Sequence, residues 1–480
     1  MSKLLLMQGG TETEIAFSPP MPLKTLLAQS DVAFVLPCGG RGVCGKCAVE
    51  ASGALSEPDA QSGAYLLCRT TALGDCRVIL PDYADMTIDT GTQTKRLRQN
   101  DSAQGYGAAL DIGTTTLAMR VFDLCSGACV GEATRINPQM QVAADVIGRI
   151  EAAMRGQGDA LKSMLWDAIG RMAEQAAPGK PISRTVTAGN TTMLYLLNGF
   201  DPSDLSKAPF SAKHLFGTHD RIADTEFYFP PCFHAFAGAD LACAILASGM
   251  CERTRCSVLC DVGTNGEIAL YRNGTLITAS TAAGPALEGA GISCGCASVP
   301  GAIDRVWRAG GEVCFHTIGG QKPIGVCGSG LIDLIAVLLD LGMIDETGRM
   351  ERAYPLADGV ALLPQDVRAI QLAKAAICAG IHTVLKKTGT DASDVQAFYA
   401  AGGFGSRIDP VSSARIGLFP RALANRTVPI GNAALDGAGT VLSDPDGERA
   451  LMHLREIGTY LSLSGDADFA EFYMEDMLFA

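Results

Sequence analysis

Short apolar runs separated by turn-forming residues dominate the first 85 positions of the chain. The runs KLLLMQ, TEIAFSP and CRVILP have the length and apolar content of strands with one buried face. The segment PLKTLLAQS instead spaces its apolar residues as a helix does, which predicts one short helix. Residues 1–85 are therefore predicted to form a small domain of strands with a single helix.

The pattern changes twice after this domain. Residues 86–106 are polar, have little periodic apolar content and are predicted to be a linker. From residue 107 onward, Gly- and Ala-rich strand patterns alternate with helix patterns. The longest apolar stretch, GLIDLIAVLLDLGMI, is interrupted by Asp333 and Asp340 at helical spacing. It therefore predicts an amphipathic helix and not a membrane span.

Two stretches of this larger region repeat one pattern. YGAALDIGTTTLAMRVFDL and SVLCDVGTNGEIALYRNG each consist of an apolar run, an aspartate (Asp111 or Asp261), a Gly-Thr turn and a second apolar run. A single copy would be an ordinary hairpin, but two copies about 150 residues apart indicate a duplicated unit. We therefore predict two similar lobes, over residues 107–255 and 256–480, the second with C-terminal helices.

The turn of each hairpin is suited to bind phosphate and a metal. Backbone N–H groups and hydroxyls at a tight turn can hold phosphate oxygens, and an aspartate at its base can hold a divalent cation. Asp111 and Asp261 are the candidate Mg²⁺ ligands and catalytic residues. The candidate phosphate-binding residues are Gly113, Thr114, Thr115, Thr116, Gly263, Thr264 and Asn265. The chain has no G-x-x-x-x-G-K-[ST] motif, which argues against a P-loop ATPase.

Four cysteines near the start of the chain, Cys38, Cys44, Cys47 and Cys68, form a candidate iron-sulfur site. Three are separated by five and then two residues in PCGGRGVCGKCAVE, and the fourth follows about twenty residues later in YLLCRTT. This spacing fits a ferredoxin-type loop, whereas structural zinc sites usually use two cysteine pairs. Zinc stays the alternative metal. Cys76 stays the alternative fourth ligand, although it lies in a strand pattern where a cysteine is usually a small buried residue.

Composition and charge narrow the classes of protein. A chain of 480 residues with 48% hydrophobic residues is long enough for several cores. A formal charge of -13 without a basic tract disfavours nucleic acid as a partner. Seventeen scattered cysteines and no recognisable export signal predict reduced thiols and a cytoplasmic setting. No membrane insertion is expected.

The paired hairpins resemble the phosphate-binding elements of the acetate kinase, sugar kinase, Hsp70 and actin superfamily. In that superfamily an adenosine-contacting Gly-Gly element follows the second phosphate element, and FYAAGGFGSRIDP supplies Gly402, Gly403 and Phe404. The resemblance implies a two-lobed actin-like (ribonuclease H-like) ATPase that binds ATP with Mg²⁺. The predicted fold class is therefore multidomain, α/β and α+β, with a β-grasp [2Fe-2S] ferredoxin domain followed by this ATPase.

A ferredoxin joined to such an ATPase resembles the reductive activators of corrinoid-dependent proteins. The matching stretches run over nearly the whole chain and include PCGGRGVCGKC, GNTTMLYLLNG, GPALEGAGISCG and TYLSLSGDADF. The resemblance implies an enzyme that uses ATP to drive one electron from its [2Fe-2S] cluster to a Co(II) corrinoid protein, giving Co(I). Its implied partners are that corrinoid protein and an external low-potential electron donor. A homodimer is left open.

Two other functions fit the same motifs. A metabolite kinase fused to a ferredoxin would bind a substrate hydroxyl near the phosphates. A redox-sensing protein would use the cluster to control nucleotide-dependent assembly. Asp240, at the start of a helix pattern, is interpreted as a helix N-cap, with an acid-base role kept open. Glu288 and the Cys294/Cys296 pair lie in a Gly-rich segment whose role the sequence does not assign.

Overall fold

The N-terminal region is a sheet with one helix packed on it. In this computed structural model, the described residues are 1–8, 11–28, 30, 32, 34, 47–59, 63–80, 97–100, 103–253, 255–403 and 407–479. The N-terminal elements are β1 (Ser2–Gln8), β2 (Thr11–Phe17), β3 (Met21–Pro22), α1 (Leu23–Ala28), β4 (Ala48–Leu55), β5 (Tyr65–Leu66) and β6 (Thr71–Ile79). The predicted strands and the predicted helix of this region are confirmed.

The N-terminal sheet is mixed. Its strands lie in the order β2-β1-β6-β4-β5, with β3 paired to β6. Strand β1 runs antiparallel to β2 and parallel to β6. Leu4 and Leu6 of β1 are buried together with Leu23 and Leu26 of α1 and Val78 of β6. Alternate residues of a strand face the same side, so β1 supplies two side chains to this core.

The first large sheet is built from residues 106 to 229. Its strands and the accompanying helices are β7 (Tyr106–Ile112), β8 (Thr116–Asp123), β9 (Cys129–Ile136), α2 (Val146–Ala152), α3 (Gly158–Ala176), β10 (Ile182–Gly189), α4 (Thr191–Asn198), β11 (Thr218–Ile222), β12 (Thr225–Phe229), α5 (Ala239–Ser248) and α6 (Met250–Arg253). Strands β7, β8 and β9 form an antiparallel meander, and β10 and β12 extend it in parallel with β7.

The second large sheet begins at residue 256 and is interrupted by two smaller sheets. Its region contains β13 (Cys256–Val262), β14 (Asn265–Arg272), β15 (Thr275–Ala282), β16 (Ala302–Ala309), β17 (Glu312–Thr317), β18 (Gly325–Val326), α7 (Gly328–Asp340), β19 (Tyr354–Ala357), β20 (Val360–Leu362), α8 (Pro364–Lys387), β21 (Ala397–Ala401), α9 (Pro410–Ile416), β22 (Thr427–Gly431), α10 (Ala433–Ser443), α11 (Gly447–Ile457), β23 (Gly458–Tyr460) and α12 (Ala467–Glu475).

The two large sheets share one topology. The first has the strand order β11-β12-β10-β7-β8-β9, and the second has β22-β21-β13-β14-β15-β23. In each sheet an antiparallel three-stranded meander is followed by two strands parallel to its first strand. The hairpins with Asp111 and Asp261 are the first two strands of each meander, which explains why the two sequence patterns are alike.

Two helices lie between the large sheets. Helices α5 and α10 share a buried core with residues of both sheets, such as Ala109 of β7 and Leu259 of β13. At Gly437 of α10, an added Cβ would lie 2.0 Å from the carbonyl oxygen of Cys243 in α5. Glycine therefore lets the two helix backbones approach closely. As a result α10, from the C-terminal part of the chain, also packs against β7.

The long apolar segment GLIDLIAVLLDLGMI forms helix α7, as predicted, but its polar face is not where we expected it. Asp340 is exposed, whereas Asp333 is only 2% exposed. Oδ2 of Asp333 accepts a hydrogen bond from the backbone N–H of Val306 at 3.2 Å. The amphipathic interpretation is therefore wrong for Asp333, because strand β16 covers that side of the helix.

The end of the predicted linker is attached to the first sheet. Leu97 donates its N–H to Gly127 at 2.9 Å, and Asn100 donates to Cys125 at 3.0 Å. Residues 81–96, 101 and 102 lie outside the described part of the chain. Among the helices of the described residues, none combines the length and the apolar character needed to cross a bilayer.

Candidate functional site

The two Asp-x-Gly-Thr hairpins face one cleft with a cavity volume of about 200 Å³. The cleft lies between the large sheets and also receives the residues that follow β21. Most of the predicted site residues are brought together in its lining: Asp111, Gly113, Thr114, Thr115, Thr116, Asp261, Gly263, Thr264, Asn265, Gly402 and Gly403. Phe404 lies outside the described residues.

Each hairpin turn is closed by a backbone hydrogen bond between residues two or three positions apart. The N–H of Gly113 donates to the carbonyl of Thr116 at 2.9 Å, and the N–H of Gly263 donates to that of Asn265 at 3.0 Å. An added Cβ at Gly113 would lie 2.7 Å from the Thr116 carbonyl oxygen, so the first turn needs glycine there. Both turns therefore have the tight geometry expected from the sequence.

Asp111 connects the first hairpin to helix α10. Oδ2 of Asp111 accepts a hydrogen bond from Nδ2 of Asn432 at 2.9 Å. Asn432 is the N-cap of α10, because its Oδ1 accepts the N–H of Leu435 at 2.9 Å. Burial raises the pKa of Asp111 to about 6, and the bond from Asn432 partly opposes this shift. The carboxylate is thus held by one amide and has lone pairs left for a cation.

Asp261 shares the cleft with three more acidic side chains, Asp240, Glu267 and Glu288. Desolvation raises the pKa of Asp261 to about 8, and the charges of Asp240, Asp111 and Glu288 add to that shift. Burial and its acidic neighbours also raise the pKa of Glu267. Neighbouring carboxylates resist ionising together. A cation that binds among these four acidic side chains would therefore displace protons from them.

Asp240 is not the cap of its helix. The N-cap of α5 is Gly238, and Asp240 is the second helical residue. Its Oδ1 accepts the N–H of the next residue, Leu241, at 2.8 Å. Desolvation, and then the charge of Asp111, raise the pKa of Asp240. The N-cap interpretation is therefore wrong, because the cap lies two residues earlier, at Gly238. Asp240 instead lines the cleft.

Glu288 is tied to the second phosphate-binding turn. The hydroxyl of Thr264 donates to Oε1 of Glu288 at 3.0 Å. Glu288 therefore links the Gly-rich segment after β15 to the turn. In the same segment Cys296 lines the cleft, whereas Cys294 is buried with 8% exposure. The Thr264 hydroxyl must break its hydrogen bond to Glu288 before it can donate to a phosphate.

The lining of the cleft fits a hard cation. Of the described residues that line it, none is Lys, Arg or His, while five carry carboxylates. Carboxylate and hydroxyl oxygens are the donors that Mg²⁺ prefers. Without basic side chains, the charge of a polyphosphate in this cleft must be balanced by a metal ion and by backbone N–H groups. The residues present therefore fit Mg²⁺ with a nucleotide.

Cys47 and Cys68 lie together in the N-terminal domain. Their Sγ atoms are 3.3 Å apart, well beyond the ~2.05 Å of a disulfide bond. Both side chains are buried. Cys38 and Cys44 lie outside the described residues. Two sulfur atoms at this separation are close enough to bind one metal ion.

Cys76 occupies a different environment. It is part of β6 and is paired with Leu4 of β1 and Gly53 of β4. Burial raises the pKa of its thiol. These features are those of a small apolar residue in the middle of a sheet. They favour Cys68 over Cys76 as the fourth ligand, which stays a prediction.

Known proteins share this architecture and sequence. Residues 106–253 match the family described as "RACo middle region", and residues 255–480 match "C-terminal domain of RACo the ASKHA domain". The corrinoid activation enzyme RamQ of Eubacterium limosum is 32% identical over 418 residues, which cover 78% of this chain and 70% of RamQ. The chain belongs to the RACo family, the reductive activators of corrinoid proteins. The predicted family is confirmed.

Two further similarities agree with membership of the RACo family. The [Co(II) methylated amine-specific corrinoid protein] reductase of Methanosarcina barkeri is 26% identical over an alignment of 372 residues, and the match covers 69% of this chain and 68% of that protein. A solved structure of a reductive activator for corrinoid, iron-sulfur protein covers 100% of this chain with a TM-score of 0.72 at 24% identity, and 98% of that chain is covered in return. This likeness shows a common fold.

Sequence reasoning about this RACo-family chain missed several side chains of the cleft, among them Asn190, Glu267 and Asn432. Asn190 caps α4 and donates from Nδ2 to the hydroxyl of Thr114 at 3.1 Å. The cap pattern N-T-T was visible in GNTTMLYLLNG, but its place in the cleft was not. Glu267 follows the second turn by two residues, so the hairpin period would have placed it on the face shared with Asp261.

A buried arginine supports the first phosphate-binding turn and was also missed. Arg149 of α2 is fully buried, and its Nη2 donates to the carbonyl oxygen of Thr114 at 2.5 Å. Its Nε donates to the carbonyl of Ala143 at 3.1 Å. No sequence signal links Arg149 to the turn, because the contact depends on how α2 packs against the sheet.

Proposed function

We propose that this protein reactivates a corrinoid protein by ATP-dependent one-electron transfer from its own [2Fe-2S] cluster to Co(II), giving Co(I). Membership of the RACo family supports the reductive activation of a corrinoid protein. The observation that carries the nucleotide-dependent part is the cleft, where two like hairpins from two like sheets face each other. An external low-potential donor would re-reduce the cluster after each transfer.

In this proposal the cleft binds Mg-ATP. Asp111 and Asp261 hold the hydrated metal from opposite lobes. The phosphates are held by backbone N–H groups and hydroxyls of the two turns, supplied by Gly113, Thr114, Thr115, Thr116, Gly263, Thr264 and Asn265. Gly402, Gly403 and Phe404 lie by the adenosine. The absence of basic residues among the described lining residues makes the metal essential for phosphate binding.

Asp240 is the proposed acceptor of the proton from the water that attacks the terminal phosphate. Burial and the charge of Asp111 raise the pKa of Asp240, which brings the carboxyl group closer to the pH range where it can accept and release a proton. Its position at the start of α5 joins this chemistry to one of the two helices between the sheets. Asp111 accepts a hydrogen bond from Asn432, the N-cap of the second such helix, α10.

Cys38, Cys44, Cys47 and Cys68 would hold the cluster, with Cys47 and Cys68 as a neighbouring pair of ligands. The 3.3 Å between their Sγ atoms supports this pairing. A cluster of this type supplies one electron at a potential near roughly -400 mV. Each ~59 mV by which the Co(II)/Co(I) couple lies lower costs ~1.4 kcal/mol, so the transfer needs an outside source of free energy.

ATP can supply that free energy only through protein states. Nucleotide that contacts both hairpins would favour a closed arrangement of the lobes, and the corrinoid protein would bind the open and closed forms with different affinity. Helices α5 and α10 are the elements that would carry this change, since each joins a cleft residue to the core between the sheets.

The deciding experiment is anaerobic visible spectroscopy of the reconstituted, chemically reduced protein mixed with a Co(II) corrinoid protein. We expect a Co(I) band that grows with Mg-ATP and stays absent without nucleotide. A non-hydrolysable ATP analogue separates effects of binding from effects of hydrolysis. If no Co(I) forms with several corrinoid proteins, despite an intact cluster and bound ATP, the proposal is wrong.

A further inference from the structure

A cysteine, a histidine and an aspartate meet on the far side of helix α8, away from the residues assigned above. Cys378 and His382 are four residues apart on α8, so they lie on the same face of the helix. Asp476 is the C-cap of helix α12. Nδ1 of His382 lies 4.0 Å from Sγ of Cys378 and 3.0 Å from Oδ2 of Asp476. All three ligand atoms are within 4.8 Å of one another.

We propose that Cys378, His382 and Asp476 bind one zinc ion that fastens the C-terminal helix α12 to α8. Zinc takes sulfur, imidazole nitrogen and carboxylate oxygen at about 2.0–2.3 Å, which separates tetrahedral ligand atoms by roughly 3.3–3.8 Å. The observed separations of 3.0 and 4.0 Å lie on either side of that range. Since no two of the three ligand atoms are more than 4.8 Å apart, small rotations of these side chains would complete the three-ligand site, with water as the fourth ligand.

The charges around the site are compatible with a divalent ion. Burial, and then Asp476, raise the pKa of the Cys378 thiol, so the free protein keeps it neutral. When zinc binds, the S–H proton leaves to solvent and a zinc–sulfur bond forms. Thiolate, carboxylate and Zn²⁺ then sum to zero charge. The charge of Lys374, one turn earlier on α8, lowers the thiol pKa. The Nζ of Lys374 donates a hydrogen bond to the carbonyl of Leu478.

The proposed ion would strengthen a contact that is otherwise held by partly exposed groups. Lys386 lies 2.8 Å from Asp468, and Lys387 lies 2.8 Å from Asp466, all on or beside α8 and α12. Such solvent-exposed ion pairs contribute little to stability, because water and salt screen them. A metal ion bound by residues of both helices adds a link that solvent does not screen in the same way.

Helix α8 also supports the second phosphate-binding hairpin. An added Cβ at Gly266 of β14 would lie 3.0 Å from the side chain of Ile377, the residue next to Cys378. Gly380 approaches Ile268 of β14 in the same manner, at 2.6 Å. The proposed zinc site therefore lies on the helix that backs the hairpin with Asp261, although its test does not depend on cobalt reduction.

The test is zinc binding to the full-length protein with its iron-sulfur site reconstituted, followed by zinc K-edge X-ray absorption. We expect one zinc per chain, coordinated by one sulfur and by nitrogen and oxygen atoms. His382→Gln and Asp476→Asn should each weaken zinc binding at least about 100-fold, since loss of an outer-shell partner alone costs about 10–100-fold. Competition with a chromophoric chelator measures the affinities.

The matched control is His316→Gln, which should leave zinc binding unchanged. His316 also pairs with a buried aspartate, Asp304, at 2.6 Å, but the described residues contain no third ligand for that pair. Melting temperatures measured in a chelator check that Asp476→Asn, which keeps an acceptor oxygen for His382, is folded. If one of the two variants does not fold, the zinc affinity of the other, checked for folding in the same way, provides the comparison.

Three outcomes would overturn the proposal. The unaltered protein could bind no zinc under these conditions. Zinc coordinated by three or four sulfur atoms would instead occupy the N-terminal cysteine site. Zinc with one sulfur ligand that is bound equally well by His382→Gln and Asp476→Asn would lie elsewhere in the chain. In each case the three residues would form only a hydrogen-bonded contact between α8 and α12.

Discussion

At the scale of single residues, two neighbouring glycines at the cleft differ in whether the backbone there needs glycine. Gly402 has a φ of +122°, and an added Cβ would lie 2.3 Å from the carbonyl oxygen of Val262. At Gly403, no atom that the structure describes beyond its chain neighbours lies within 4 Å of such a Cβ. Only the first position therefore requires glycine for the backbone, because it lets β21 approach the end of β13.

We predict that Gly402→Ala destabilises the protein by more than ~2 kcal/mol, because it combines a strained φ with a steric clash. Gly403→Ala is the matched control and should change the free energy of unfolding by less than ~0.5 kcal/mol. Thermal unfolding of the nucleotide-free variants measures both effects. Equal melting temperatures for the two variants would show that the backbone near Val262 relaxes at little cost.

Asp333 gives a pH-dependent prediction at the same scale. Burial raises its pKa to about 6, and the Ser412 side chain, the N–H of Val306 and the guanidinium of Arg305 only partly compensate. Because the folded-state pKa lies above the unfolded one, its stabilising contribution is complete below about pH 4 and is lost as the pH rises through about 6. Asp333→Asn keeps the shape and the acceptor oxygen but removes this titration.

We therefore expect the free energy of unfolding of Asp333→Asn to rise by on the order of 2–3 kcal/mol relative to that of the unaltered protein between pH 4 and pH 7. Denaturant unfolding followed by tryptophan fluorescence measures it. The chain has two tryptophans, Trp166 in α3 and Trp307 in β16, so the signal reports the two large lobes. A difference that does not change with pH would mean that Asp333 keeps an ordinary pKa.

At the scale of elements, helix α10 is held in place by polar contacts at successive turns. Asn432 caps it and bonds to Asp111, while Asp436 forms an ion pair with Arg120 of β8 at 2.6 Å between Oδ1 and Nη1. Both side chains of the pair are nearly fully buried, at 2% and 3% exposure. Arg120 also lies 3.4 Å from Glu132. The cleft and the core between the sheets are thus joined through one helix.

Asp436→Asn should destabilise the large lobes by about 3 kcal/mol, because it removes the closest negative charge from a buried guanidinium. The surface pair between Arg415 and Asp340 provides the control. Its Asp340→Asn variant should cost less than ~1 kcal/mol, since both groups are partly exposed. Urea unfolding followed by tryptophan fluorescence compares them. Similar losses in the two variants would show that Glu132 alone suffices to compensate Arg120.

At the scale of the whole molecule, the proposed function needs two separate sites, and each should be removable alone. Asp111 belongs to the cleft between the large sheets, and Cys68 belongs to the N-terminal domain. Asp111→Asn keeps an oxygen that can accept from Asn432. Cys68→Ser replaces one sulfur by an oxygen of similar size. Neither change should disturb the other site.

We expect Cys68→Ser to abolish cobalt reduction while nucleotide affinity changes less than about twofold. Asp111→Asn should weaken Mg-nucleotide binding at least about tenfold, as expected when a metal ligand loses its charge, and leave the visible spectrum of the cluster unchanged. Calorimetric nucleotide titration and visible spectroscopy on both variants provide the comparison. Loss of both properties in one variant would indicate misfolding and not a site-specific effect.

The sequence by itself determined the features whose information is local. The strands of both hairpins and the short helix α1 followed from periodicity, because the side-chain period of a segment depends only on its own backbone. The repeated Asp-x-Gly-Thr pattern predicted that Asp111 and Asp261 lie in equivalent hairpins, and the structure places both in one cleft. The family was predicted from a resemblance to known reductive activators that also includes the N-terminal cysteine loop, and the comparisons confirm it.

Only the tertiary structure decided which distant groups surround those motifs. Asn432 bonds to Asp111 across 321 positions, and neither residue's neighbours in the sequence indicate the other. Asp240 was assigned to a cap because a helix start looks alike whether its first turn faces solvent or a cleft. Asp333 shows the same limit, since helical spacing defines a face but not what covers it. Burial depends on which elements pack together, and that is a property of the whole chain.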